Sequence, residues 1–201
     1  MKLSIVVPAY NEEATIAQII EKVKEVSLPD GLSKEIVVVN DGSVDGTAQA
    51  LNRYSGQEGI VIVHQANQGK TAALLTGFKN TSGDILLIQD ADLEYDPQQY
   101  PKLLAPILNG ETQVVYGSRF LGEISGMEPI NRWANQISNS TFRLLYGVPM
   151  TDINTCYKVF TRMVWEKMTI TSKNFAFETE FTVKVLQQGA TTRVWLLREQ
   201  K

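Results

Sequence analysis

The chain has 201 residues, 43% of them hydrophobic, enough to bury a full core and consistent with one domain over 1–201. A net charge of −3 and a pI near 5.3 exclude a general nucleic-acid binder, whose footprint would be basic, so any anion must be bound locally. The single cysteine, Cys156, excludes an internal disulfide and fits a reducing compartment, and the single histidine, His64, excludes a histidine-based triad or multi-histidine metal site.

Leu3 to Val7 forms the first strand candidate; the apolar stretch before Pro8 and Asn11 is too short for a secretory signal. Ile16, Ile19, Ile20, Val23 and Val26 then follow helical spacing until Pro29-Asp30-Gly31 breaks the chain. Glu35 to Val39 reads as the second strand, followed by a turn at 41–47, with Ser43 or Asp45 as cap, and a helix from Val44 to Tyr54. The remaining strand candidates are Ile60 to Val63, Ile85 to Ile88 and Val114 to Tyr116. The remaining helix candidates are Lys70 to Lys79, Pro97 to Leu108, Ile130 to Tyr146, Arg162 to Met168 and Glu178 to Gln188, with Gly147 and Gly189 at C-cap positions. This alternation predicts an α/β fold with a mostly parallel central sheet flanked by helices. No run approaches the roughly 18 apolar residues needed to span a bilayer, and the expected location is cytoplasmic.

Polar and charged residues gather just past four strand ends: Asn11-Glu12, Asn40-Asp41, Asn67 to Lys70, and Asp90 to Glu94. Ligands of open α/β sheets bind at those carboxyl ends, so the four segments point to one site. Two nucleotide signatures fail there. The first turn, Pro8-Ala9-Tyr10-Asn11-Glu12, has no glycine, and Gly69-Lys70-Thr71 lacks the phosphate-loop glycine at position 64, which is His64. Lys70, near a helix start, can still meet a phosphate. His64 reads as an ordinary strand-end residue and Cys156 as a small core residue. Asp90 and Asp92 follow the apolar run Ile85 to Ile88 at a spacing that can place both carboxylates on one side, with Glu94 continuing the series if the chain stays extended. Such hard oxygen ligands suit Mg²⁺ or Mn²⁺ together with substrate phosphates.

Taken in order, Val7-Pro8-Ala9-Tyr10-Asn11-Glu12, Val39-Asn40-Asp41-Gly42-Ser43, Asn67-Gln68-Gly69-Lys70 and Gln89-Asp90-Ala91-Asp92 resemble family 2 glycosyltransferases. The resemblance runs on through Tyr116-Gly117-Ser118-Arg119-Phe120, Asn131-Arg132 and Asp152 to Lys158 as far as Phe177-Glu178, and there looks like the polyprenyl-phosphate sugar synthases of the dolichyl-phosphate mannose synthase type. It implies a GT-A fold, a nucleotide-diphosphate sugar donor such as GDP-mannose or a UDP-sugar, and inverting transfer to a polyprenyl or dolichyl phosphate. By matching position, Pro8, Tyr10, Glu12 and Asp41 hold the nucleoside, and Asp90, Ala91 and Asp92 form the DxD motif. Glu94 matches a position where relatives supply another metal ligand, and Arg119 and Arg132 match arginines that bind the acceptor phosphate. Asn40 departs from the commoner Asp-Asp-Gly-Ser form by removing a charge while keeping an acceptor.

A metal on Asp92, assisted by Asp90 or Glu94, would stabilise the departing diphosphate; alternatively Asp90 organises the loop and ribose. A lipid phosphate needs no general base, whereas a glycan hydroxyl acceptor would need Asp152 or Glu178 as its base. A non-catalytic nucleotide-sugar binding domain is the remaining alternative. The candidate helix Ile130 to Tyr146 carries Ile130, Trp133, Ala134, Ile137, Thr141, Leu144 and Leu145 on one side, suited to a lipid interface or to the core, and peripheral attachment at the cytoplasmic membrane face is expected. Relatives usually continue after the last helix into a further strand, a basic segment and often membrane helices. Thr191 to Lys201 does not follow that pattern, so the terminus after about 190 is expected to be truncated or atypical.

Overall fold

The computed structural model describes residues 1–118, 139, 140, 142, 144, 151–172 and 176–196, the last two without their side chains. Its strands are β1 (Lys2–Ala9), β2 (Ser33–Asp41), β3 (Ile60–Gln65), β4 (Ile85–Ile88), β5 (Val114–Ser118), β6 (Lys158–Thr161) and β7 (Thr192–Leu196). They form a seven-stranded sheet in the order β3-β2-β1-β4-β6-β5-β7, in which only β6 runs against its neighbours among the described residues. The helices are α1 (Ile16–Glu25), α2 (Thr47–Leu51), α3 (Lys70–Lys79), α4 (Tyr100–Leu108), α5 (Arg162–Glu166) and α6 (Phe177–Gln187), with single 3₁₀ turns at Asn52–Tyr54 and Pro97–Gln99.

The strands are apolar at successive positions because both faces of the sheet are covered. Leu3, Ile5 and Val7 of β1 face one core with Ile16, Ile19, Ile20 and Val23 of α1 and Leu103, Leu104 and Ile107 of α4. Val6 faces the other core with Leu74 and Phe78 of α3 and Phe177, Phe181 and Val185 of α6. The same alternation separates Ile85 and Leu87 from Leu86 and Ile88, as the two-residue period of a strand requires. Gly77 lets α3 approach β1: a Cβ there would run into Val6 Cγ1.

Every strand and helix expected from the sequence within the described residues is present, with shifted ends. The second helix starts at Thr47 rather than Val44, because Ser43 and Asp45 are used in loop contacts first. Of the predicted Ile130–Tyr146 helix, Asn139, Ser140, Phe142 and Leu144 are helical, and the rest, Trp133 included, lies outside the described residues. Two strands, β6 and β7, are unforeseen, and β6 lies inside the sheet. β6 is four residues long and begins with Lys158, whose charge hides it in a hydropathy reading. Yet Lys158 is fully buried and donates to the carbonyls of Ile153 and Thr155. The chain after 190 also has a defined start: β7 pairs in parallel with β5, Val114 opposite Thr192 through Ser118 opposite Leu196. Among the described residues no helix is long and apolar enough to cross a membrane.

Candidate active site

Parallel pairing places the ends of β1, β2 and β4 side by side, with Ala9 opposite Asn40 and Val6 opposite Ile88. The loops leaving these ends are stitched together by side chains. Asn11, held at φ 57°, accepts from the Val44 amide at 2.9 Å, and its own amide donates to Ser43 Oγ at 3.0 Å. The Glu12 amide donates to Thr47 Oγ1 at 2.7 Å, while the Glu12 carbonyl receives the Ile16 amide that starts α1. Of the two candidate caps, Asp45 takes the cap-like bond, from the Thr47 amide at 3.0 Å. Glu12 is thus oriented by its backbone on one side and by Thr15, whose hydroxyl donates to Glu12 Oε2 at 2.6 Å, on the other.

Asp41, buried at the end of β2, organises the loop before α3. It accepts from Gln65 Nε2 at 2.7 Å, the Gln68 amide at 3.0 Å and the Gly69 amide at 2.8 Å. Next to it, Gly42 at φ 69° lies so close to that loop that a Cβ would stand 2.5 Å from the Asn67 nitrogen. His64 does sit in a strand, and it contacts Asn40 Nδ2 through Nδ1 at 3.1 Å.

The Asp90–Glu94 segment does not stay extended. β4 ends at Ile88, the chain turns at Ala91-Asp92, Leu93 takes φ 67°, and the Glu94 amide closes onto Asp92 Oδ1 at 3.0 Å. The two carboxylates therefore part: Asp90 is buried beneath the turn, whereas Asp92 and Glu94 are exposed. Gln89, fully buried, fixes the turn from below. Its Oε1 accepts from Tyr100 and Tyr157 hydroxyls at 2.8 and 2.7 Å, and its Nε2 donates to the carbonyls of Asp90 and Tyr95 at 3.0 and 3.3 Å. Sequence reasoning missed Gln89 as a supporting residue; its position between an apolar strand and an acidic turn is the available signal.

Lys70, the first residue of α3, reaches the underside of the same turn. Its Nζ lies 2.8 Å from Asp90 Oδ1, 3.7 Å from Glu178 Oε1 and 3.0 Å from Cys156 Sγ. Burial alone would lower the ammonium's pKa, but the charges of Asp90 and Glu178 beside it, with the hydrogen bond to Asp90, reverse that and raise it, so Lys70 stays charged. Cys156 is half-buried: it packs against the first core, as its reading as a small core residue expects, and also meets this polar cluster through its sulfur. Burial and the Asp90 charge push its thiol up, outweighing Lys70, and it stands there neutral. At the cleft rim Asp92 is partly desolvated although exposed, and this raises its carboxyl, against the pull of the Glu94 amide and with the help of the Asp90 charge.

Pro8, Ala9, Tyr10, Glu12, Asp41, Asn67, Gly69, Lys70, Ala73, Asp90, Ala91 and Asp92 line a single cleft of about 460 Å³. The strand-end segments singled out in the sequence thus meet in one place, and α3 opens onto it without any side-chain cap on its amides. No group of three His, Cys, Asp or Glu side chains is gathered for a metal among the described residues, so Asp90, Asp92 and Glu94 do not form a closed cage. Two carboxylates bordering one cleft fit Mg²⁺ or Mn²⁺, which complete their shells with water and phosphate oxygens. Glu178 and Asp152 are both buried and do not line the cleft. Arg119 and Arg132 lie outside the described residues.

The sequence profile of Glycosyl transferase family 2 matches residues 4–169. The low-salt glycan biosynthesis hexosyltransferase Agl6 of Haloferax volcanii is 33% identical over 191 residues, 94% of this chain and 44% of its own length. The undecaprenyl-phosphate 4-deoxy-4-formamido-L-arabinose transferase of Pseudomonas aeruginosa is 31% identical over 169 residues, 83% of this chain and 49% of its own. The chain therefore spans about half the length of these relatives. Dolichol-phosphate mannosyltransferase of Pyrococcus furiosus is 34% identical over 122 residues, 60% of this chain and 34% of its own. Among solved structures, glucosyl-3-phosphoglycerate synthase from Mycobacterium tuberculosis, in complex with Mn²⁺, UDP and phosphoglyceric acid, shares the fold with a TM-score of 0.77 at 21% identity, covering 100% of this chain and 71% of that one. The profile match takes in the strand-end segments that build the cleft, and with the GT-A architecture around them the chain belongs to glycosyltransferase family 2.

Proposed function

We propose that the protein is an inverting, divalent-metal-dependent glycosyltransferase that moves a sugar from a nucleotide-diphosphate sugar, GDP-mannose or a UDP-sugar, to a polyprenyl phosphate at the cytoplasmic membrane face. The observation that carries the donor half is the shared cleft, in which Pro8, Tyr10, Glu12 and Asp41 stand with Lys70, Asp90, Ala91 and Asp92. In this reading the first four hold the nucleoside, and Asp41 does so while fixing the Gln65–Gly69 loop. Lys70 and the N-terminal end of α3 offer positive charge to the diphosphate. Asp92, with Asp90 assisting, would hold the metal, which when bound supplies a Lewis acid for charge growing on the leaving diphosphate. Exposed Glu94, whose amide donates to Asp92 Oδ1, is the reserve ligand beside it.

The names of the relatives support a lipid-phosphate acceptor: one is an undecaprenyl-phosphate transferase and another a dolichol-phosphate mannosyltransferase. A phosphate oxygen is already anionic and needs no base, which suits a site whose buried Glu178 is paired with Lys70 and whose Asp152 is buried away from the cleft. In this reading Arg119 and Arg132 grip the acceptor phosphate, as guanidinium groups do through paired hydrogen bonds. The test is titration of the purified protein with GDP-mannose, UDP-glucose and UDP-N-acetylglucosamine, with and without Mn²⁺, followed by transfer to undecaprenyl phosphate. Metal-dependent binding of one donor and lipid transfer lost in R119A and R132A, with donor binding intact, are expected. Donor binding without transfer to any acceptor would instead favour a binding domain.

A further inference from the structure

The cluster under the acidic turn brings two carboxylates to the Lys70 ammonium, with the buried Lys158 ammonium also within electrostatic reach of Glu178. Asp90 alone makes a full hydrogen-bonded ion pair with the Lys70 ammonium at 2.8 Å, yet Glu178 has been brought from α6 to 3.7 Å of the same nitrogen, beside Cys156 Sγ at 3.9 Å. Burying a second carboxylate is costly unless its charge is used. Asp90 also belongs to the turn proposed to receive the metal and ribose, so its contact with Lys70 is the one that donor binding perturbs. A lysine with a flexible four-carbon stem would then lose its aim, unless another anion remains beside it. Glu178 is that anion: it lies off the cleft, out of reach of the donor, and is fixed in the first turn of a helix whose Phe177 and Phe181 are locked in the core.

We propose that Glu178 is a positioning residue that keeps the Lys70 ammonium directed at the donor diphosphate when Asp90 is drawn to the metal and nucleotide. The inference rests on the nucleotide-sugar reading of the cleft. It predicts an effect of unusual sign. Removing a negative charge near an anion site should, by field alone, tighten anion binding. If Glu178 positions Lys70, removing it weakens that binding.

The test measures the affinity of wild type, Glu178→Gln, Lys70→Met and the double variant for UDP and GDP and for uridine and guanosine, all in MnCl₂. For whichever diphosphate wild type binds, Glu178→Gln should weaken affinity about tenfold and leave the matching nucleoside unchanged, which also reports an intact fold. The double variant should be no weaker than Lys70→Met, because the two residues act as one unit. Glu178→Asp, which keeps the charge one carbon further back, should restore part of the loss. Unchanged or tighter diphosphate binding in Glu178→Gln, an equal loss for the nucleoside, or additive losses in the double variant would overturn the inference alone. Failure of wild type to bind either diphosphate would overturn the reading of the cleft and this inference with it.

Discussion

Asp41 accepts the Gly69 amide at 2.8 Å, so the carboxylate that ends β2 also fixes the residue that starts α3. Gly69 takes φ 88° and no side chain caps the helix, which leaves Asp41 as the restraint on the approach to Lys70. Asp41→Ala leaves the Gln68 and Gly69 amides and Gln65 Nε2 without their acceptor. It should cost about 2 to 3 kcal/mol of stability and most of the nucleotide affinity. Asp41→Asn keeps one acceptor oxygen and should recover part of both, as urea unfolding and nucleotide titration will report.

The far end of the sheet is held by a buried charge. Glu35 accepts from Ser4 Oγ at 2.6 Å and the Ser82 amide at 2.6 Å and pairs with Lys2 at 2.5 Å. Burial works to raise its carboxyl, but these partners overcome it and hold it at about 2, below an ordinary 4.5. A depressed carboxyl stabilises the fold fully above the unfolded value and loses that contribution as pH falls from about 4.5 towards 2. The stability difference between wild type and Glu35→Gln should therefore shrink by about 2 kcal/mol between pH 7 and pH 3 in urea titrations.

Gln89 uses both its acceptor and its donor capacity in the core, so a shape-preserving change exposes its role. Gln89→Leu strands the Tyr100 and Tyr157 hydroxyls and should destabilise by about 2 to 4 kcal/mol. Tyr157→Phe, which removes one donor and leaves the other, should cost about 1 kcal/mol. Because Nε2 of Gln89 also holds the Asp90 carbonyl, Gln89→Leu should lower metal-dependent donor affinity, while Tyr157→Phe leaves it nearly intact.

At Gly42 both the backbone and the neighbour object to a side chain. Gly42→Ala should cost about 1 to 3 kcal/mol from its φ of 69° and the close approach of Asn67. The nucleoside affinity should fall with it, since Asn67 lines the cleft beside Asp41.

Asp92 stands at the rim of the cleft with only its Oδ1 engaged, by the Glu94 amide. Asp92→Asn keeps the turn and removes the charge. It should lower the transfer rate about 10² to 10³-fold with little change in thermal stability, a split that separates a ligand role from a structural one.

The sequence was readable wherever a single local rule governs. The β1, β2 and β4 runs are apolar at nearly every position, Ser4 and Glu35 apart, because helices cover both faces, and their polar ends mark the rim where Asp41, Lys70 and Asp90 meet. What stayed hidden depends on contacts between distant segments. Lys158 reads as a surface charge until the carbonyls of Ile153 and Thr155 accept its hydrogen bonds in the core. Cys156 reads as core packing until Lys70, 86 positions away, is found against its sulfur. The turn that takes Glu94 out of the extended series after Asp92 needs a left-handed Leu93, a conformation that no leucine announces.

The reversed direction of β6 has one more consequence. β5 ends at Ser118 on the rim where the other parallel strands end, and an antiparallel β6 begins at Lys158 on that same rim. The chain therefore leaves the sheet after Ser118 and rejoins it at Lys158 on one and the same rim, the cleft side. Both splice points of the intervening stretch are anchored in neighbouring strands, which makes it an interchangeable cassette: it can be exchanged without altering the register of β5 and β6.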